Sequence, residues 1–281
     1  MAKGPITQSQ VNAYREDGYV LVKGMLDKEE AELLGRAARE DRVLDQHAYG
    51  KDDGEGGRTR LSLWNHPTDT IYGAVARSES IVGSAEKLLE GEVYHYHSKM
   101  IMKDAKVGGA WTWHQDYGYW YQNGVLFPLL TSASIAVDRA TRENGCLQVV
   151  KGSHHLGRIE HVLTGEQAGA DQERVDEILK RLEVVYVEME PGDTLFFHAN
   201  ILHRSDRNRS EHPRWSMICC YNAARNDPYK ESHHPRYTPL IKVPDSEIKK
   251  AALKRFGESN DDAAWLDKKE DKSAVSLQKN G

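Results

Sequence analysis

Apolar and polar positions follow two different periods along the chain, and the period changes near residue 90. Before that point apolar residues recur at the spacing of amphipathic helices, and Thr7 and Asp27 stand where helix N-caps are expected. The pattern predicts helices over 7–14, from 28 to about 42 and over about 68–89. A Gly-rich, charged segment over 47–58 is interpreted either as a lid beside an active site or as a solvated surface loop.

From residue 92 onward the apolar residues come in short segments with the two-residue period of β-strands. Eight strands are predicted, over 93–102, 112–117, 130–137, 146–150, 183–188, 194–198, 203–205 and 215–221. Eight such strands with turns between them indicate an α+β fold, in which flanking N-terminal helices cover a double-stranded β-helix, the cupin-like jelly roll. Inward-facing positions of several strands then meet around one cavity.

The remaining segments extend this core, and none of them predicts a second hydrophobic core. A helix over 171–181 is predicted between strands, and 235–281 reads as a polar C-terminal extension with a helix over 245–256 and disorder from Lys268. We therefore expect a single domain over 1–281. It divides into a helical front over about 1–90, a jelly-roll core over about 91–225 and the extension over about 235–281.

Composition narrows the possible functions. Hydrophobic residues make up 39% of the chain, and no run of about 18 apolar residues predicts a membrane span. The first residues lack the apolar segment of a signal peptide, so a cytoplasmic location is expected. A formal net charge of -5 argues against nucleic acid as a partner. The three cysteines, Cys146, Cys219 and Cys220, are expected to be small core residues.

Candidate chemistry begins at His114-Gln115-Asp116. The alternation of the predicted strand over 112–117 turns His114 and Asp116 to the same face. The chain has 13 histidines, so this spacing alone is weak, but His203 follows a predicted turn and strand and supplies a second imidazole. Two imidazoles and one carboxylate form the facial set of ligands that holds Fe(II) and leaves other coordination positions open.

Arg214 follows His203 at a distance that allows it to lie on the next strand. Its guanidinium can form a bidentate pair with a carboxylate. A structural metal site would have a closed set of ligands, whereas this pattern combines three ligands with a group suited to a carboxylate. The pattern therefore favours a catalytic site over a structural one.

The stretch from Gly18 to about Asn222 resembles the phytanoyl-CoA dioxygenase family of Fe(II)/2-oxoglutarate-dependent oxygenases, which includes ectoine hydroxylase. The matching residues are Asp17-Gly18-Tyr19-Val20, Trp113-His114-Gln115-Asp116, Glu143-Asn144-Gly145-Cys146-Leu147, Gly152-Ser153-His154, Pro191-Gly192-Asp193, His203, Ser205 and Arg214. The resemblance implies that His114, Asp116 and His203 bind iron. It also implies that Arg214, assisted by Ser205, binds the distal carboxylate of 2-oxoglutarate. Further candidates for contacts with the co-substrate are Lys99, His97, Ser132 and Ser134.

The cofactors that the resemblance implies are Fe(II), 2-oxoglutarate and O2. The expected reaction hydroxylates an unactivated C–H bond and converts 2-oxoglutarate to succinate, and desaturation or ring closure stays open as a variant of it. Related halogenases leave the place of the carboxylate ligand to a halide, so the presence of Asp116 disfavours halogenation.

The predicted substrate is a free small metabolite, such as an amino acid derivative. Tyr117, Tyr119 and Trp120 follow the first motif and could stack on it, and Arg139 could meet an anionic group. Two alternatives stay open. One is a jelly-roll protein that binds a metal and a ligand without catalysis, and the other is an oxygenase that acts on peptides.

Overall fold

The structure is a computed structural model that describes residues 4–40, 42–54, 56–164, 166–254 and 263–272. Its helices are Gln8–Asp17 (α1), Lys28–Glu40 (α2), Arg42–Gln46 (α3), Ile71–Arg77 (α4), Glu79–Leu89 (α5), Asp116–Trp120 (α6), Gln172–Leu179 (α7) and Glu247–Lys254 (α8). Its strands are Tyr19–Val22 (β1), Tyr49–Asp52 (β2), Arg58–Trp64 (β3), Val93–Lys103 (β4), Trp111–His114 (β5), Leu130–Ala136 (β6), Leu147–Val150 (β7), His161–Thr164 (β8), Gln167–Ala170 (β9), Val184–Val187 (β10), Thr194–His198 (β11), His203–Ser205 (β12), Arg214–Ala223 (β13) and Trp265–Leu266 (β14).

These strands form two main sheets. The larger has the order β1-β11-β6-β13-β4-β3-β14, with β2 paired to β3, and the smaller has the order β10-β7-β12-β5. Strands β8 and β9 form a separate hairpin. Every strand pair among the described residues is antiparallel. The mixture of helices and antiparallel sheet agrees with the predicted class.

The N-terminal helices begin where the sequence predicts them. Thr7 accepts a hydrogen bond from the backbone of Gln10, whose side chain accepts one from the backbone of Thr7, which is a capping box. Asp27 and Glu30 exchange the same two bonds, each 2.9 Å long, before α2. Helices α1, α2, α4, α5 and α8 pack on one face of the large sheet and bury the main hydrophobic cluster.

Some predicted boundaries are wrong. The helical region over 68–89 is two helices that break at Ser78, and the segment over 47–58 contains β2, which pairs with the unpredicted strand β3. Residues 268–272 are ordered, with Asp271 buried, whereas 255–256 and 273–281 lie outside the described residues.

The predicted strand over 112–117 is also shorter than expected. Strand β5 ends at His114 and helix α6 begins at Asp116. Within the described ranges, no helix combines the length and the apolar character that crossing a bilayer requires.

Gly118 in α6 packs against the ring of His161, and a Cβ at this position would lie 2.1 Å from Cε1 of that ring. We expect Gly118→Ala to lower the free energy of unfolding by about 1–3 kcal/mol, because the ring is buried and must move. Gly35 in α2 is the matched control: the nearest atom to a Cβ there is 3.4 Å away. Gly35→Ala should leave stability unchanged or raise it by up to about 1 kcal/mol. Urea unfolding measures both, and equal effects of the two variants would contradict the prediction.

Candidate metal centre

The two predicted histidine ligands lie side by side on neighbouring strands. Strands β5 and β12 pair so that His203 is opposite His114, and the centroids of the two rings are 4.1 Å apart. Trp113, one residue before His114, joins a hydrophobic cluster with Leu202, one residue before His203. Because side chains alternate along a strand, the buried Trp113 and Leu202 turn the two imidazoles to the opposite face, where a cavity lies.

Backbone carbonyls fix the orientation of both rings. Nδ1 of His114 donates to the carbonyl of Thr112 at 2.8 Å, and Nδ1 of His203 donates to the carbonyl of Ile201 at 3.0 Å. A carbonyl can only accept, so in each ring the proton is on Nδ1 and Nε2 presents its lone pair. Burial lowers the pKa of both histidines, and for His114 the neighbouring His203 lowers it further. Both imidazoles are therefore neutral, as metal ligands must be.

The third predicted ligand reaches the same place by a turn of the chain, not by strand alternation. Gln115 is fully buried, its backbone N–H donates to Nε2 of His161 at 2.9 Å, and its side-chain amide donates to the carbonyls of Gly157 and Asn200. These bonds anchor the chain where it leaves β5 and starts α6. Asp116, the first residue of that helix, consequently points into the cavity.

The carboxylate of Asp116 faces both rings. Its Oδ1 lies 3.8 Å from Nε2 of His114 and 4.0 Å from Nε2 of His203. The hydroxyl of Tyr119 donates to Oδ1, and the hydroxyl of Ser132 donates to Oδ2 at 3.3 Å. These two hydroxyls orient the carboxylate towards the imidazoles.

The charge and spacing of this group fit a divalent cation. Burial by itself raises the pKa of Asp116, but neighbouring groups, Lys99 first and the hydrogen bond from Tyr119 among them, outweigh it and hold the pKa below its usual value, so the carboxylate is ionised. The ligand atoms of the triad all lie within 4.8 Å of one another. Atoms bound at about 2.0–2.2 Å to one ion are about 3–4 Å apart, so the ligand atoms need to approach one another by about 1–2 Å at most.

Arg214 lies in the same cavity as the triad, at the start of β13. It is 4% exposed, and its Nη atoms donate to Ser216 and to the carbonyl of Gly145, whereas its Nε has no hydrogen-bond partner in the part of the chain that the structure describes. Burial lowers its pKa to about 10. Among the described residues it forms no ion pair with a carboxylate, so this guanidinium is available to an anionic ligand.

Lys103 is opposite Arg214 in the pairing of β4 with β13, and it is also fully buried. Its ammonium donates to the hydroxyl of Ser205 at 2.9 Å and to the carbonyl of Asp206. Burial, followed by the proximity of Arg214, lowers its pKa well below the usual value. The buried Lys103 therefore fixes the position of the hydroxyl of Ser205, which lines the cavity.

Most of the predicted site residues meet in this one cavity. Those that line it are His97, Lys99, His114, Asp116, Tyr119, Trp120, His203, Ser205 and Arg214. Ser132 lies behind Asp116, as its hydrogen bond indicates, and Ser134 lines a separate small cavity beside Arg214.

Tyr117 and Arg139 do not line the cavity. The hydroxyl of Tyr117 donates to the carbonyl of Leu126, because the first turn of α6 directs this side chain away from the triad. Arg139 is exposed and pairs with Glu190 at 2.9 Å.

Several residues of the cavity were not predicted, namely Lys51, Arg204 and Asp271, together with Lys103 behind it. Lys103 could have been found, since it continues the two-residue period of His97 and Lys99 along β4. Lys51 and Asp271 carry no local pattern of this kind.

Known proteins are similar to the part of the chain that contains the triad and Arg214. A family model described as phytanoyl-CoA dioxygenase matches residues 14–216. The chain is 33% identical to L-proline trans-4-hydroxylase from Streptomyces griseoviridis over 197 residues, which cover 64% of this chain and 72% of that protein. It is 27% identical to ectoine dioxygenase from Halomonas elongata over 257 residues, which cover 84% of this chain and 77% of that protein.

The fold is likewise shared with a solved structure. The crystal structure of EctD from S. alaskensis with bound Fe superposes with a TM-score of 0.72 at 23% identity, covering 87% of this chain and 90% of that one. The family model spans most of the chain and includes the triad and Arg214. The chain therefore belongs to the phytanoyl-CoA dioxygenase family of Fe(II)/2-oxoglutarate-dependent oxygenases.

Proposed function

We propose that His114, Asp116 and His203 hold the Fe(II) of this dioxygenase, that Arg214 binds the distal carboxylate of 2-oxoglutarate, and that the enzyme hydroxylates a small metabolite. The observation that carries the proposal is the single cavity in which the triad meets a buried guanidinium without a carboxylate partner among the described residues. We interpret the two antiparallel sheets around this cavity as the double-stranded β-helix of the family.

The protein's part in the reaction is to hold and orient. When bound, Fe(II) with 2-oxoglutarate and O2 supplies the oxidising power to cleave a C–H bond, and 2-oxoglutarate is decarboxylated to succinate. His114 and His203 present Nε2 because their Nδ1 protons are held by carbonyls. Asp116 provides the anionic ligand, which its neighbours keep ionised. Three protein ligands leave coordination positions open.

The end of the cavity at Arg214 suits a dianionic co-substrate. A buried guanidinium costs free energy when no anion compensates it, and a carboxylate bound there recovers that cost through charge-assisted hydrogen bonds. Lys103 keeps the hydroxyl of Ser205 in a fixed position beside this site. We infer that Lys103 positions Ser205 for the carboxylate and does not itself contact it, since Lys103 does not line the cavity.

The opposite side of the cavity suits a small organic substrate. Trp120 and His97 lie there with ring centroids 5.6 Å apart, and Nε1 of Trp120 and Nδ1 of His97 are buried without a hydrogen-bond partner among the described residues. Such atoms can donate to or accept from a bound ligand. Two curated relatives are named for small substrates, L-proline and ectoine.

The other candidate functions fit less well. A peptide substrate needs an open groove, but Asp116 is 1% exposed and His203 is 5% exposed. In a metal-binding protein without catalysis the metal would have a closed set of ligands, whereas here three ligands lie beside Arg214. Asp116 occupies the position that a halogenase leaves to a halide, so hydroxylation is favoured over halogenation.

Removing the carboxylate ligand tests the metal assignment. We expect Asp116→Ala to lose tight Fe(II) binding and succinate formation. Tyr119→Phe, which removes only the hydrogen bond to the carboxylate, should weaken Fe(II) binding by about 10- to 100-fold. Anaerobic titration with Fe(II) measures both variants. Ser134→Ala is the control, because Ser134 lies on the strand of Ser132 but not in the cavity. Turnover at the wild-type rate in Asp116→Ala would rule out the assignment.

Arg214→Ala tests the co-substrate site. It removes a charge-assisted pair of about 1.5–3 kcal/mol, so the concentration of 2-oxoglutarate needed for half-saturation should rise by about 10- to 150-fold. Lys103→Met should raise it less, since Lys103 acts through Ser205. The half-saturating concentration is measured from the visible band that appears when 2-oxoglutarate is added to the anaerobic Fe(II) protein. Arg139→Ala is the matched control, because Arg139 is exposed and pairs with Glu190. An unchanged requirement in Arg214→Ala would contradict the assignment.

A further inference from the structure

We propose that Lys51 and Asp271 form a subsite for a zwitterionic substrate, in which Asp271 pairs with the substrate's ammonium group and Lys51 with its carboxylate. The proposal rests on the oxygenase function above and names the chemical class of its substrate. A substrate of this class enters by replacing the ion pair that the two side chains make with each other.

The ion pair lies in the wall of the cavity that contains the triad. Nζ of Lys51 is 2.6 Å from Oδ2 of Asp271, and the two side chains are 12% and 3% exposed. The hydroxyl of Tyr49 donates to the same oxygen at 2.9 Å. A cation and a carboxylate thus reach the cavity together, in addition to Arg214, which is assigned to the co-substrate.

Both partners are held by the large sheet. Lys51 is on β2, opposite Thr59 of β3. The segment that carries Asp271 is attached to the same edge of β3, further along the strand, where Trp265 pairs with Trp64 and Leu266 with Leu63. A turn then returns the chain, with the N–H of Asp271 donating to the carbonyl of Asp267 at 3.0 Å. The position of the carboxylate is therefore set by backbone pairing on a strand of the core.

Asp271 lines the same cavity as the side chains that are assigned to the substrate. His234 stacks on His97, with ring centroids 4.3 Å apart and planes inclined by 12°. His234, His97, Trp120 and Asp271 all line this one cavity. A ligand held at Asp271 would therefore share the cavity with the aromatic side chains assigned to the substrate.

The energetics of a buried ion pair select for a zwitterion. Desolvation of two buried charges offsets much of their attraction, and removing one partner leaves a costly uncompensated charge. An amine without a carboxylate would pair with Asp271 and leave Lys51 without its carboxylate. An acid without an amine would pair with Lys51 and leave the charge of Asp271 without its cation, although Asp271 would keep the hydrogen bond from Tyr49. Only a ligand with both groups gives each side chain a new partner and adds no net charge to the wall.

Succinate release stimulated by small molecules tests the subsite. The probes are L-proline, ectoine and the other common L-amino acids, together with pyrrolidine, which keeps only the amine, and cyclopentanecarboxylate, which keeps only the acid. We expect stimulation above the basal rate by one or more zwitterions and none by the two singly charged compounds. A panel in which no zwitterion stimulates, or in which a singly charged compound stimulates equally, would overturn the proposal.

Variants then assign the effect to the two residues. With the best zwitterion, Asp271→Asn and Lys51→Met should each raise KM by about tenfold or more with a smaller change in kcat, and Asp271→Glu should recover part of the loss. Asp267→Asn is the matched control on the same segment, since Asp267 accepts backbone hydrogen bonds in the turn and does not line the cavity. Unchanged KM in both Asp271→Asn and Lys51→Met would overturn the subsite.

The visible band formed by Fe(II) and 2-oxoglutarate distinguishes failure of the proposed subsite from failure of the proposed oxygenase function. The band also checks that each variant is folded. If the wild-type protein gives the band and the variants do not change KM, the subsite is wrong and the oxygenase centre stands. If the wild-type protein gives no band, the oxygenase function itself is wrong.

Discussion

The pairing of β5 with β12 is the constraint on which the rest of the site depends. It sets His114 and His203 opposite each other, so both Nε2 atoms point to one position. The carbonyls that hold their Nδ1 protons belong to the same two segments, which means that the tautomer and the register are fixed together. A shift of one residue in this register would turn one imidazole to the opposite face and remove the site.

Charge in the cavity is opposite in sign to charge on the whole chain. The formal net charge of the chain is -5. The cavity wall instead has a cationic excess, because Lys51, Lys99, Arg204 and Arg214 outnumber the carboxylates of Asp116 and Asp271. Buried charge of one sign is unfavourable unless a ligand compensates it. A metal dication would add to the excess and the dianion 2-oxoglutarate would reduce it, so binding of the co-substrate is linked to the electrostatic balance of the cavity.

The sequence predicted those features that depend on neighbouring residues or on a motif. Thr7 and Asp27 cap helices through bonds to residues three positions away, and a local pattern is sufficient for that. The triad and Arg214 were found by spacing and resemblance, and they meet in one cavity. Strand alternation through Asp116 was wrong because the buried hydrogen bonds of Gln115 override local periodicity. Asp271 was missed because its partner Tyr49 is 222 positions away, and no pattern in the sequence connects them.

The residues that line the cavity come both from the stretch that the family model matches and from the residues after it. The three metal ligands and Arg214 lie within residues 14–216, which the family model describes, whereas His234 and Asp271 lie beyond it. The metal ligands and Arg214 therefore lie in the stretch that the family model matches, and part of the proposed substrate side comes from residues after it. Because the segment that carries Asp271 joins the sheet at β3, it can bring a charged side chain to the substrate without disturbing the pairing of β5 and β12. On the proposed assignment, a substitution at Asp271 therefore changes substrate binding while the metal centre keeps its geometry.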